Sequence, residues 1–100
     1  MKFSEVLEAL RNGERLTNAS LSNTNGFIVC QVPQVVDKEI IPRMTSLPDS
    51  AKEHLEKANC DLRFHDQVLL VQWCGMQDAY VATSYIPSWY DIFREDWTIC

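Results

Sequence analysis

Glycine is scarce in this chain, and the three present, Gly13, Gly26 and Gly75, stand far apart. There is therefore no glycine-rich loop of the kind that wraps a phosphate in backbone amides. Histidine is scarcer still, with only His54 and His65. Neither stands with a Ser, Cys or Thr in a pattern suited to nucleophilic catalysis, and no carboxylate cluster joins them as metal ligands. They read as a helix-surface residue and a turn residue, and neither a metal nor another cofactor is expected. The four cysteines, Cys30, Cys60, Cys74 and Cys100, lack C-x-x-C spacing and are expected as free, mostly buried thiols in a reducing compartment. No run approaches the roughly 20 apolar residues of a membrane helix. Acids interrupt the stretch from Met1 to Glu8, so no signal-peptide core is expected and the expected compartment is the cytoplasm. Positive charge is also in deficit, with nine Lys and Arg against fourteen Asp and Glu and a net charge of -5. That balance argues against a DNA or RNA binder, which needs cations to neutralise phosphates, but not against a small phosphorylated ligand.

What is present is an apolar fraction of 46% that includes three Trp, three Tyr and four Phe. In 100 residues this supplies one compact domain, residues 1–100, with some apolar surface to spare for self-association. Phe3, Val6, Leu7 and Leu10 share one helical face, with Ser4 as expected N-cap and Gly13 as left-handed stop. Leu16-Thr17 starts an extended piece, and Asn25-Gly26 marks a tight turn before a buried strand from Phe27 to Val32 that Pro33 ends. Val35 to Ile41 suits either two short extended pieces around a charged turn or one irregular edge strand. Asp49 to Ala58 reads as a second helix, with Ser46 able to cap it and Pro48 near its first position. Cys60 to Phe64 and Gln67 to Trp73 read as strands joined at the His65-Asp66 turn, and Ala79 to Tyr85 as another. Ser88 and Asp91 fit a capping box opening one helical turn, and Trp97-Thr98-Ile99 a terminal strand. The expected class is α+β: a small antiparallel sheet of about five strands, an N-terminal helix, a second helix mid-chain and a short C-terminal helical turn.

Two regions offer chemistry. Arg43, Thr45 and Ser46 stand just ahead of the second helix, where hydroxyls, first-turn amides and the helix dipole favour an anion; the plainer reading makes Ser46 only a cap. Aromatic residues crowd the last third of the chain. Phe93 and Trp97 are expected in the core, while Tyr85 and Trp89 flank the Ile86-Pro87-Ser88 corner beside polar Ser88 and Asp91. Ring, hydroxyl and carboxylate together are what a nucleoside pocket requires. Asp91, Glu95 and Asp96 are near enough in sequence to share acid–base work, although capping and a solvated acidic turn account for them as well.

Met44-Thr45-Ser46-Leu47-Pro48 and the run from Ile86 to Trp97, above all its Pro-Ser, Asp-Ile-Phe and Glu-Asp-Trp, resemble the paired signatures of the second type of Thoeris anti-defence protein, a small phage and prophage family. The opening from Phe3 to Gly13 is similar to that family's first helix. The resemblance implies a homotetrameric sponge with ligand pockets at subunit boundaries. Such a sponge binds the glycocyclic ADP-ribose signal made by TIR-domain immune proteins, and in some members cyclic dinucleotides, without degrading it. It implies no catalysis. Carried onto this chain it points to Thr45, Ser46, Tyr85, Ser88, Trp89 and Asp91 as ligand-binding residues, with Arg43 and Asn25 as additions. The chain departs from the pattern at Ser20-Leu21-Ser22, where many members have Gly-Trp-Asn, and at Trp89, where many have a non-aromatic residue.

Two other classes compete. A hydrolase of the same cyclic nucleotides would use Asp91 or Asp96 as base, and would consume intact ligand over time. A protein-interaction inhibitor of a host defence protein would present an acidic stripe whose binding weakens steeply with salt. Here the acids are interspersed with bases, as in Asp37-Lys38-Glu39, which suits a solvated face better.

Overall fold

Phe3–Arg11 form helix α1 in the computed structural model, which describes every residue from Met1 to Cys100. Val6, Ala9 and Leu10 of its inward face are buried. The cap differs from expectation. Ser4 lies inside the first turn, Lys2 is the N-cap, and the Lys2 N–H donates to Glu5 Oε1 at 2.9 Å. The longer Glu side chain reaches back to the cap from three residues on, which leaves Ser4 nothing to cap. At the other end Gly13 takes a left-handed φ of 84°. Its N–H donates to the Leu10 carbonyl and that of Glu14 to the Ala9 carbonyl, both at 3.1 Å, the paired bonds of a Schellman stop.

The strands are β1 Leu16–Thr17, β2 Phe27–Cys30, β3 Gln34–Val36, β4 Leu62–Phe64, β5 Val68–Cys74, β6 Ala79–Ser84 and β7 Thr98–Ile99; the later helices are α2 Asp49–Ala58 and α3 Trp89–Phe93. The protein is α+β. A five-stranded sheet runs in the order β6-β5-β2-β1-β7, every neighbouring pair antiparallel, and a separate two-stranded sheet pairs β3 with β4. The chain divides into two compact units, Met1–Gln31 with Gln67–Cys100, and Val32–Asp66.

The first unit holds the five-stranded sheet. Leu16 pairs with Ile28, and Ile28 with Leu70, so these side chains share one sheet face. Leu16, Ile28, Val6, Ala9, Leu10 and Trp97 form the core, with Phe3, Val68, Leu70 and Tyr85 packed against it. Each fully buried aliphatic side chain here contributes about 1.5–3 kcal/mol. Phe93 does not join it and is 74% exposed. In so short a helix it shares the outward face with Trp89, four residues back, and their rings stack at 5.8 Å.

The second unit settles the stretch that Val35 to Ile41 leaves open: β3 ends at Val36, a turn follows, and Ile41–Arg43 form a 3₁₀ turn. Pro48, not Ser46, is the N-cap of α2, and Ser46 lies two residues ahead of it. Pro48 has the extended backbone a cap needs and a fixed φ that leads into the helix. The turn at His65-Asp66 does not make a hairpin, because β4 pairs with β3 while β5 pairs with β2 and β6. The four cysteines are free. None is fully buried, against expectation: Cys30 and Cys74 are half-buried within β2 and at the end of β5, and Cys60 and Cys100 are exposed outside the strands and helices.

Candidate functional site

The corner from Tyr85 to Trp97 is built on the expected capping box. The Asp91 N–H donates to Ser88 Oγ at 3.1 Å, and the Ser88 N–H donates to Asp91 Oδ2 at 3.0 Å. This reciprocal pair fixes the start of α3 and with it the direction of Trp89, which is 73% exposed. Ser88 keeps its own O–H to donate, and the second carboxylate oxygen of Asp91 keeps its lone pairs. Tyr90 is held differently, with the Arg94 guanidinium 5.1 Å over its ring. Arg94 in turn binds Asp96 through two N–H groups, one at 2.8 Å, and Asp96 accepts the Ala19 N–H at 3.0 Å. Those bonds, Arg94 first, hold the Asp96 carboxyl far below the usual carboxylate range. Asp96 is a structural anchor between Arg94 and Ala19, and those bonds make it poorly suited to taking a proton.

Tyr85 faces inward. Its ring meets Trp97 at 6.4 Å with an interplanar angle of 77°, and its hydroxyl is buried without a hydrogen-bond partner. Burial first and the charge of Asp91 second push its pKa well above the ordinary tyrosine value. A buried hydroxyl left unpaired costs about 1–3 kcal/mol, so Tyr85→Phe is expected to leave stability unchanged or raise it by about 1 kcal/mol. The folded state favours the protonated phenol, so stability does not depend on this group below the unfolded pKa of about 10 and falls as pH rises above it, where the unfolded phenol ionises and the folded one does not. Urea titrations across alkaline pH should show a shallower loss for Y85F than for wild type; an equal loss would mean that Tyr85 is not the group responsible.

Asn25 lies elsewhere in the same unit, in a left-handed conformation with φ 50°. It ends a 3₁₀ turn, Leu21–Thr24, that the Asn18 carboxamide opens by accepting the Ser20 and Leu21 N–H groups at 3.0 and 2.9 Å. Gly26 follows in a tight space. A Cβ there would meet the Leu21 carbonyl at 3.0 Å and Gln72 Cγ at 3.3 Å. The Gly26 carbonyl accepts the Thr17 hydroxyl at 2.7 Å. Beside this turn is an open cavity of about 320 Å³ lined by Arg15, Thr17, Ser22, Asn25, Phe27 and Tyr80 among others. The Arg15 guanidinium stands 5.2 Å over the Phe27 ring. A cation, an amide, hydroxyls and two rings face one volume.

Arg43, Thr45 and Ser46 belong to the second unit, and all three are exposed. Lys52 Nζ donates to the Met44 carbonyl at 3.0 Å, which ties this segment to α2. The first turn of α2 carries Asp49, paired with Lys52 at 3.3 Å. Within the first unit, Tyr85, Ser88, Trp89 and Asp91 are thus gathered at one corner, while Asn25 lines the cavity beside Arg15, apart from that corner. No group of three or more His, Cys, Asp or Glu side chains is arranged to hold a metal ion.

Arg15, Phe27 and Tyr80 escape a reading of the sequence because they lie far apart along the chain. One local signal was available: in a strand beginning after Gly26, Phe27 must point away from Ile28 and so away from the core. Compared with known proteins, residues 1–100 match a family model described as Tad2-like, a Thoeris anti-defense 2-like domain. No curated protein matches the chain.

Proposed function

The chain belongs to the Thoeris anti-defense 2-like family, and on that footing we propose that it is a phage sponge, one module over its whole length that captures a cyclic nucleotide immune signal and holds it unaltered. The signal class is glycocyclic ADP-ribose made by TIR proteins, with cyclic dinucleotides as further ligands, and sequestering it keeps the Thoeris effector inactive. The working form is a cytoplasmic homo-oligomer, a tetramer. The observation that carries the reading is the family match along the entire chain. The geometry supports it in what each residue has to offer. Trp89 presents an exposed ring for stacking, Ser88 a donor and Asp91 an acceptor for ribose hydroxyls, and Tyr85 backs the corner from within. Arg15, beside Asn25, supplies the positive charge a phosphate needs, in a cavity at the lower end of ligand-pocket size. Arg43, Thr45 and Ser46 supply a second cation and two hydroxyls for phosphate.

A sponge succeeds through stoichiometry and slow release, so the reading asks for a dissociation constant near or below nanomolar, about -12 kcal/mol. It asks for no catalytic base. The test is to incubate the purified protein with cyclic ADP-ribose isomers and cyclic dinucleotides, filter off free ligand, denature the protein by heat and weigh what is released. Intact ligand in near-stoichiometric amount is expected. Altered product would make the protein an enzyme, and nothing retained would shift the reading to inhibition of a protein partner.

A further inference from the structure

The two ends of the five-stranded sheet are finished differently. β7 is only two residues long, one of the usual ways of blunting an edge. β6 has six residues, all exposed except half-buried Val81. It carries none of the usual protections: from Ala79 to Tyr90 no residue is charged, and no proline interrupts the strand. An edge of this kind is a template for another strand.

The hydrogen-bond pattern identifies the groups on offer. The Tyr85 N–H donates to the Val68 carbonyl at 2.8 Å. In an antiparallel ladder the direction alternates along the strand, so Val81 and Thr83 also point toward β5. The N–H and C=O groups of Tyr80, Ala82 and Ser84 point away from the sheet. This set is symmetric about Ala82. If Ala82 faces its own copy, Tyr80 faces the partner's Ser84, and every outward N–H and C=O of the three residues is paired.

We infer that β6 pairs antiparallel with β6 of a second copy of this chain about a two-fold axis at Ala82, joining two sheets into one. What selects a second copy rather than a foreign strand is found at the two ends of β6. Ile86, 85% exposed, follows the strand, and Met76, 99% exposed, lies in the turn that precedes it. Antiparallel pairing brings the Ile86 end of one copy to the Met76 end of the other, twice over. The same surface therefore supplies both halves of an apolar contact, as an isologous dimer requires. This inference deepens the assembly part of the reading above and does not depend on which ligand is held.

The test combines Ala82→Pro with hydrogen exchange on the wild type. Proline at 82 removes an outward N–H and none that serves β5, a position at which an edge strand tolerates it. By analytical ultracentrifugation the A82P mass is expected to fall to about half that of the wild type. In the wild-type assembly the amides of Tyr80, Ala82 and Ser84 should exchange slowly and speed up on dilution, while those of Val81, Thr83 and Tyr85 stay slow throughout. Folded A82P with the wild-type mass, or fast exchange at Tyr80, Ala82 and Ser84 in an assembled wild type, would overturn the pairing and place the oligomer contact on another surface. A wild type that is monomeric at every concentration would overturn both the pairing and the oligomeric reading, yet leave ligand capture standing.

Discussion

Replacing Trp97 by alanine is expected to cost about 3–5 kcal/mol, the usual range for emptying a buried large aromatic site. Trp97 is 1% exposed and touches three things at once. Its ring meets Phe3 at 6.1 Å and Tyr85 at 6.4 Å, and its Nε1–H donates to the Asp91 carbonyl at 3.0 Å. Truncation therefore opens a cavity and strips a bond from α3 together. Domains of this size hold only about 5–15 kcal/mol in all, so the melting temperature should fall by roughly 15–30 °C. Circular dichroism on heating measures it. Phe93→Ala is the internal control: with its ring in solvent, it should change stability by less than about 1 kcal/mol. If both variants lost the same stability, the distinction between a core Trp97 and a surface Phe93 would be wrong.

The second large effect is on binding. If the protein is the proposed sponge, Trp89→Ala is expected to weaken capture of the cyclic nucleotide at least tenfold, since one base stacked on an aromatic ring contributes about 1–3 kcal/mol. The melting temperature should stay close to that of the wild type, because Trp89 is exposed and its only ring partner is the equally exposed Phe93. Isothermal titration with the ligand recovered from the wild type, beside a melting curve, reads both quantities. Normal affinity in a folded W89A protein would remove Trp89 from the site.

How far the sequence could be read depends on the range of the interactions involved. Several contacts between residues a few positions apart were legible: the helical stripe of Val6 and Leu10, the left-handed Gly13, the turn at Asn25-Gly26, and the Ser88–Asp91 box, whereas the caps of α1 and α2 fell on Lys2 and Pro48 instead of Ser4 and Ser46. The limits of α2 follow from local propensity in the same way. Where partners come from across the chain, the reading failed or stayed silent. Two apolar segments either side of His65-Asp66 look like a hairpin, yet β4 and β5 each find partners elsewhere. Phe93 and Trp97 are alike in composition and four residues apart, so only tertiary packing could decide which of them the core receives. The Asn25 cavity was invisible for the same reason. Arg15, Phe27 and Tyr80 meet only after β1, β2 and β6 have taken their places in the sheet.

That long-range wiring also governs how the protein is made. β1 stands between β2 and β7, with Leu16 opposite Ile99 and Thr17 opposite Thr98, and the core around α1 is incomplete without Trp97. The helix α1 and the strand β1 must therefore wait for a segment about eighty residues further along the chain. No stable core can close around a nascent fragment, and contacts of such sequence separation form slowly even in the finished chain. Folding around α1 is thus deferred until Trp97 and β7 have been made.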